Sequence, residues 1–398
     1  MGWDVLNRRY DFTKPRDKYK ILEPYGPNVA TAEGSTYRFH VRITAPPFSD
    51  GSGVNELVWK ETQRQTQLLM QDWTENQPEN IGEDVNALTL AVISLAGFGK
   101  RLESVKDQTQ DIPPGYRLSF LRAISDTTAY MLAILVFPSW LLELTPYAKA
   151  SLAKKQLEKY MYAMIRQAKQ RIESVVQAAH DESEDRSTKE PAQSPRRGFN
   201  EDEVAGNLFI YLLAGYETTA NAIVYALVVL ALRPDIQAKV VEEVDRVYAE
   251  AAADGRSALT YKDDFAKLAY SYGFMYETFR LYPGVTLITK ICRQAQHVQV
   301  SDESGGSARD VILPAECRVY LSCPGVHYNP KYWPEPQQLD PDRWCTATLL
   351  RQLEVSFAPG VDAEKVRRDL NRKSAGKITL APVEEFRLAL RKREAFTT

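Results

Sequence analysis

Cysteine is scarce in this chain, with four in 398 residues. So few thiols over that length exclude a disulfide-stapled scaffold and suit a reducing compartment. An excess of either charge is also missing: 50 Lys and Arg stand against 52 Asp and Glu, a net charge of −2. Without a strong positive field nothing gathers a phosphate backbone, so no nucleic-acid partner is expected. No apolar run reaches the roughly 20 residues of a bilayer span, and no transmembrane helix is expected. The longest, Ala129 to Leu142, is broken by Pro138. It reads as a buried helix ending in a turn, one able to touch a membrane surface. Charges in the opening Met1 to Arg9 sit where a signal peptide needs apolar residues, which points to an intracellular protein. No internal repeat or interdomain linker is visible, so one domain over 1–398 is expected.

The chain has the makings of a folded globular protein, with 44% hydrophobic and 26% charged residues. Short extended segments, among them Pro27 to Ala32, are expected before Ile43, and helical spacing runs from Val54 to Met164. His180 to Gly198 carries almost no apolar side chain and reads as a mobile charged surface loop. The best-defined helix follows. Asn200 can cap it, with Glu203 three residues on to bond back. Leu208, Tyr211, Leu212, Gly215, Thr219 and Ala222 then recur at helical spacing until Arg233-Pro234 stops the run. From Glu203 to Leu232 that is about 45 Å of helix. A second helix is expected from Asp264 to Leu281. Beyond it short strands (Val298 to Val300, Arg318 to Leu321, Lys377 to Leu380) alternate with Pro-rich turns. The fold class is mainly α with a minor β part.

Within the long helix, Ala214-Gly215-Tyr216-Glu217-Thr218-Thr219 breaks local rules. Glycine inside a helix costs about 1 kcal/mol relative to alanine, and a carboxylate in an apolar helix is costlier if buried alone. Such violations gather at functional sites. Gly215 permits close approach of a flat ligand, or else a tight helix crossing. A hydroxyl can bond back to the preceding turn, and an acid beside it can relay protons. On the second helix Glu277 and Arg280 share a face. E-x-x-R also begins at Glu61, Glu243, Glu364 and Glu384, and these four are expected to be solvated pairs of small value. Glu277 differs by its apolar neighbours Phe274, Met275, Phe279 and Leu281.

Together these residues resemble the cytochrome P-450 family of haem-thiolate monooxygenases. Ala214 to Thr219 is similar to its oxygen-activating motif, and Glu277, Arg280 and Leu281-Tyr282-Pro283 to its E-x-x-R helix. His327 to Pro336 and Pro341-Asp342-Arg343-Trp344 are similar to its meander. The resemblance implies a cytochrome P-450-like fold, with Glu217 and Thr218 as an acid–alcohol pair and Glu277, Arg280 and Arg343 as a structural triad. Tyr37 to Ile43 resembles the haem-propionate helix, with Tyr37 in place of its Trp and Val41 in place of its Arg. Arg38, His40 or Arg42 would then compensate, and Lys290 stands near a third propionate position. The resemblance further implies haem iron, O₂, an NADPH-linked reductase as electron donor, a lipophilic small-molecule substrate and the endoplasmic reticulum membrane face.

The family's F-x-x-G-x-R-x-C-x-G segment, whose cysteine thiolate ligates the iron, has no match. Arg343-Trp344 runs directly into Cys345 to Arg351, which resembles the far half of the helix following that cysteine. An internal deletion near 344–346 is expected, leaving the fold incomplete around the proximal haem loop. Cys345 is a weak substitute ligand, Cys323 fits a strand end, and Cys292 and Cys317 read as ordinary strand cysteines. A haem-free, non-catalytic relative or truncated gene product is the alternative.

Overall fold

The computed structural model describes residues 2–102, 112–183, 197–300, 309–341, 353–357, 360–372, 374–376, 380–382 and 388–392. The chain opens with α1 (Gly2–Asn7), β1 (Phe12–Thr13), α2 (Arg16–Tyr19) and α3 (Gly34–Thr44), then α4 (Val54–Glu75) and α5 (Ile81–Phe98). Next come α6 (Phe120–Ala129), α7 (Met131–Val136), α8 (Ser139–Glu143) and α9 (Ala148–Ser183). The long helix α10 (Glu201–Leu232) leads into α11 (Pro234–Ala253), α12 (Tyr261–Asp264) and α13 (Ala269–Leu281). Strands β2 (Leu287–Cys292), β3 (Gln296–Val300), β4 (Arg309–Leu313) and β5 (Cys317–Ser322) precede α14 (Cys323–His327). The remaining elements are β6 (Leu353–Phe357), α15 (Ala363–Arg372), β7 (Ser374–Gly376), β8 (Leu380–Pro382) and β9 (Leu388–Lys392). Helix dominates and every sheet is small, as expected.

Helix α10 is the axis, and its start follows the sequence closely. The Asn200 side chain accepts the Glu203 N–H while Glu203 bonds back to the Asn200 N–H, a complete capping box. Phe209, Leu212, Leu213, Tyr216 and Leu227 of α10 are buried. Helix α5 lies along it, with α4 outside α5, and α9 covers α6. Both α5 and α10 are long and apolar enough to cross a membrane by length and composition, which differs from the expectation of no such helix. Here they bury against each other, and two central core helices meet the same test.

Three expectations need correction. Pro27 to Ala32 is a turn rather than an extended segment. The Asn28 amide donates to the Leu22 carbonyl, its oxygen accepts the Ala30 and Thr31 N–H groups, and this folds the backbone back. That turn sits directly on α10: a Cβ on Gly206 would stand 2.4 Å from the Pro27 oxygen and 2.5 Å from the Gly26 oxygen. The run Ala129 to Leu142 is not one buried helix. It is divided among α6, α7 and α8 and buries Met131, Ile134 and Leu142, but leaves Leu132, Val136 and Trp140 about two-thirds exposed, at 66%, 60% and 65%. The second long helix begins at Ala269 instead of Asp264. Asp264 closes α12, drawn back by the Thr260 N–H and by Arg256.

The sheet β1-β2-β5 is antiparallel, pairing Phe12 with Cys292 and Ile291 with Arg318. Arg8, ahead of β1, ties this sheet to the β3–β4 hairpin by donating to the His297 carbonyl at 2.7 Å.

Candidate functional site

Thr218 faces the segment that follows α13. The Thr218 hydroxyl donates to the Ala214 carbonyl at 2.6 Å, the back-bond expected to loosen the turn. Its Cβ is 4.0 Å from where a Cβ on Gly284 would stand, so the motif meets the turn beyond E-x-x-R. Tyr216 points the other way, into the core. Burial first, and the Glu217 charge after it, hold its phenol up at about 12.

Gly215 lies at the helix crossing. A Cβ there would meet Ile93 Cγ1 of α5 at 2.9 Å, and the neighbouring Thr89 hydroxyl donates to the Tyr216 carbonyl. The close approach that the glycine permits is therefore that of α5. No flat ligand is needed to account for it.

Glu277 and Arg280 form the expected buried pair, 0% and 4% exposed. Arg280 Nη2 and Nε donate to the two carboxylate oxygens at 2.7 and 2.8 Å, a bidentate clasp. The remaining guanidinium hydrogens reach the carbonyls of His327, Pro336 and Gln338. Glu277 also accepts the Asp340 N–H, and the guanidinium sits 4.9 Å over the Trp333 ring. All five guanidinium hydrogens find acceptors and both carboxylate oxygens accept, as a buried ion pair requires. One α13 pair thus gathers the meander. Arg343, the expected third member, lies outside the described residues.

Two of the other E-x-x-R glutamates are not the solvated pairs expected. Glu243 of α11 accepts the Tyr270 and Ser271 N–H groups and the Ser271 hydroxyl, and so fixes the first turn of α13. Glu61 is 2% exposed, clasped by Arg64 and Gln65, which both also hold the Leu102 carbonyl. Only Glu364, 3.2 Å from Arg367, forms an exposed pair; Glu384 lies outside the described residues.

The expected propionate residues divide between two faces of α3. His40 is fully buried against α10, its ring 3.0 Å from the Asn207 amide, and so is a packing residue rather than a ligand of a propionate. Arg38 and Arg42 point to solvent, and Arg42 covers the Phe39 ring. Tyr37 is covered by a charged residue that sequence reasoning missed. The Lys14 ammonium lies 4.9 Å over the Tyr37 ring and donates to the Ala32 carbonyl. Burial and then the charge of Lys290 depress its pKa, against the pull of Glu33. Lys14 follows directly on β1, whose Thr13 pairs with Ile291, and no sequence signal marked it.

Haem, the group implied by the resemblance, meets a divided site. The hydroxyl–acid pair and the Tyr37–Lys290 side fit it; the axial side does not, among the described residues. Cys292 donates its thiol to the Pro314 and Cys317 carbonyls, and burial raises its pKa. Burial raises Cys323 too. Neither environment favours a thiolate, and no group of three His, Cys, Asp or Glu among the described residues could hold a metal. Cys345 lies outside them.

A family model described as cytochrome P-450 matches residues 4–359. The cytochrome P-450 monooxygenase prx9 of Penicillium rubens is 44% identical over 99% of this chain and 79% of its own length. ORF6, a cytochrome P-450 monooxygenase of Penicillium roqueforti, is 45% identical at the same coverage. Both alignments run to 464 positions, 66 more than this chain has residues, so at least that many positions face no residue here. The crystal structure of a cytochrome P450DA haem domain shares the fold, with a TM-score of 0.71 over 99% of this chain and 86% of that one, at 18% identity. Motifs, fold and family model agree, and the chain belongs to the cytochrome P-450 family, whose members bind haem.

Proposed function

We propose that this chain is built for haem-dependent monooxygenation of a lipophilic small molecule, using O₂ and electrons from an NADPH-linked reductase. The observation that carries the reading is the Thr218 hydroxyl, bonded back to Ala214 one residue after the acid Glu217 on the central helix. A hydroxyl bonded back to the preceding turn, one residue from an acid, can hold and pass a proton at a fixed point. Haem supplies the oxygen chemistry when bound. Tyr37 and Lys290 would hold its carboxylates, while Glu277 and Arg280 keep the supporting meander in place.

A second reading is favoured by the cysteines: the chain as written is a haem-free relative or truncated product. The surplus aligned positions in its relatives support an internal loss, which we place near 344–346. Purification with excess haem, followed by reduction under carbon monoxide, separates the two. The unmodified chain should lack the red-shifted thiolate band, and a family-type cysteine segment inserted between Trp344 and Thr346 should restore it. In that restored protein Thr218→Ala should keep the band and divert electrons to peroxide. Unchanged coupling would make Thr218 a packing residue. A band from the unmodified chain, lost in Cys345→Ala, would make Cys345 the ligand and overturn the deletion.

A further inference from the structure

The antiparallel register of β2 and β5 sets Cys292 directly opposite Cys317. Residues so placed point to one face, with Cβ atoms about 4.5–5.5 Å apart. Backbone separations of such pairs fall inside the range a disulfide spans, and the Cβ atoms must draw in to about 3.5–4.5 Å for the bond to form. Both side chains enter the same small cluster, with Val5, Phe12, Val298 and Val319. The Cys292 thiol is turned toward β5, donating to the Cys317 carbonyl at 3.4 Å. Both thiols are free; Cys292 is buried and Cys317 is half-buried.

We propose that Cys292 and Cys317 form an oxidative modification site that takes a hydroperoxide and closes to a cross-strand disulfide. Cys317 is the thiol that reagents can reach. Its sulfur attacks the peroxide, an S–O bond forms as the O–O bond breaks, and the departing oxygen leaves as water. The Cys292 sulfur then displaces the hydroxyl from the Cys317 sulfenic acid as a second water, and the S–S bond forms. Two thiols lose two hydrogens, and one hydrogen peroxide becomes two waters. The division of roles follows from placement: the accessible sulfur is oxidised, and the buried one resolves it from across the ladder. The bond would tie the strand carrying Lys290 to its neighbour and close a loop around the β3–β4 hairpin. Cys323 cannot compete without movement, since it begins α14 beyond the far end of β5.

The test treats the folded full chain with hydrogen peroxide, alkylates the remaining thiols after denaturation and maps the peptides by mass. The expected result is a free-thiol count lower by two, a peptide pair joining residues 292 and 317, and reversal by dithiothreitol. Cys292→Ser and Cys317→Ser should each abolish the cross-link. If a serine variant fails to fold, the reversible map of the unsubstituted chain decides alone. Both thiols still alkylated after peroxide, Cys317 driven to sulfinic acid with Cys292 still reduced, or a bond to Cys323 or Cys345 would each overturn the proposal.

Discussion

Replacing Glu277 with Ala removes the carboxylate that Arg280 clasps at 2.7 and 2.8 Å and that the Asp340 N–H meets at 3.1 Å. The carbonyls of His327, Pro336 and Gln338 would still accept from Arg280, but they carry no charge. A guanidinium 4% exposed would be left without a counter-ion. Breaking a buried pair this way costs about 3–5 kcal/mol, against total stabilities of about 5–15 kcal/mol, so the variant should be marginal. Glu243→Ala strands two N–H groups and a hydroxyl at the start of α13, a capping loss of about 0.5–2 kcal/mol. Glu364→Ala, in the exposed pair with Arg367, should cost under about 1 kcal/mol. Urea midpoints and soluble yields should therefore fall in the order Glu277, Glu243, Glu364. Equal losses for Glu277→Ala and Glu364→Ala would refute the account of the buried network.

Gly206→Ala places a methyl 2.4 Å from the Pro27 oxygen, and backbone cannot rotate away. The turn must lift, endangering the bond from the Val29 N–H to Asn207, at a cost of about 2 kcal/mol or more. Gly215→Ala has Ile93 side-chain atoms nearest, Cγ1 at 2.9 Å, so that side chain must shift; about 1 kcal/mol of helix propensity offsets part of the cost, and the thermal midpoint should fall less than for Gly206→Ala. Similar shifts for the two variants would contradict the crossing geometry. Arg256 first, aided by the Thr260 N–H and Lys267, holds the Asp264 carboxyl down at about 2, below its ordinary 3.8. The folded value is the lower one, so this stabilisation is complete above 3.8 and fades as pH falls toward 2. Asp264→Asn should flatten that acid limb of the unfolding curve, and an unchanged limb would remove Asp264 from the account.

Local signals were legible wherever one element decides them. Asn200 and Glu203 set the start of α10, Arg233-Pro234 set its end, and the apolar flanks of Glu277 distinguished it from the other E-x-x-R runs. What depends on a distant partner was not legible. Glu243 looks like any surface carboxylate until α13 begins above it, and Glu61 until Leu102 turns its carbonyl inward. His40 sits among candidate ligands in the sequence, yet the helical turn carries it to the face that α10 covers. Gly215 reads equally as a ligand contact or a helix contact, and only Ile93 tells them apart.

The clasp between Arg8 and the His297 carbonyl joins residues 289 positions apart, and it has a consequence during synthesis. A ribosome adding 5–20 residues per second needs roughly 15–60 s to bridge that interval. Through most of that time the turn at Asn28 waits for the long helix, which ends at Leu232, and β1 waits longer for β2. The apolar Val5 and Phe12, fully buried at the end, must wait uncovered. The segment carrying Val5 and Phe12 thus settles late, and a chaperone could shield it until β2 to β5 are made.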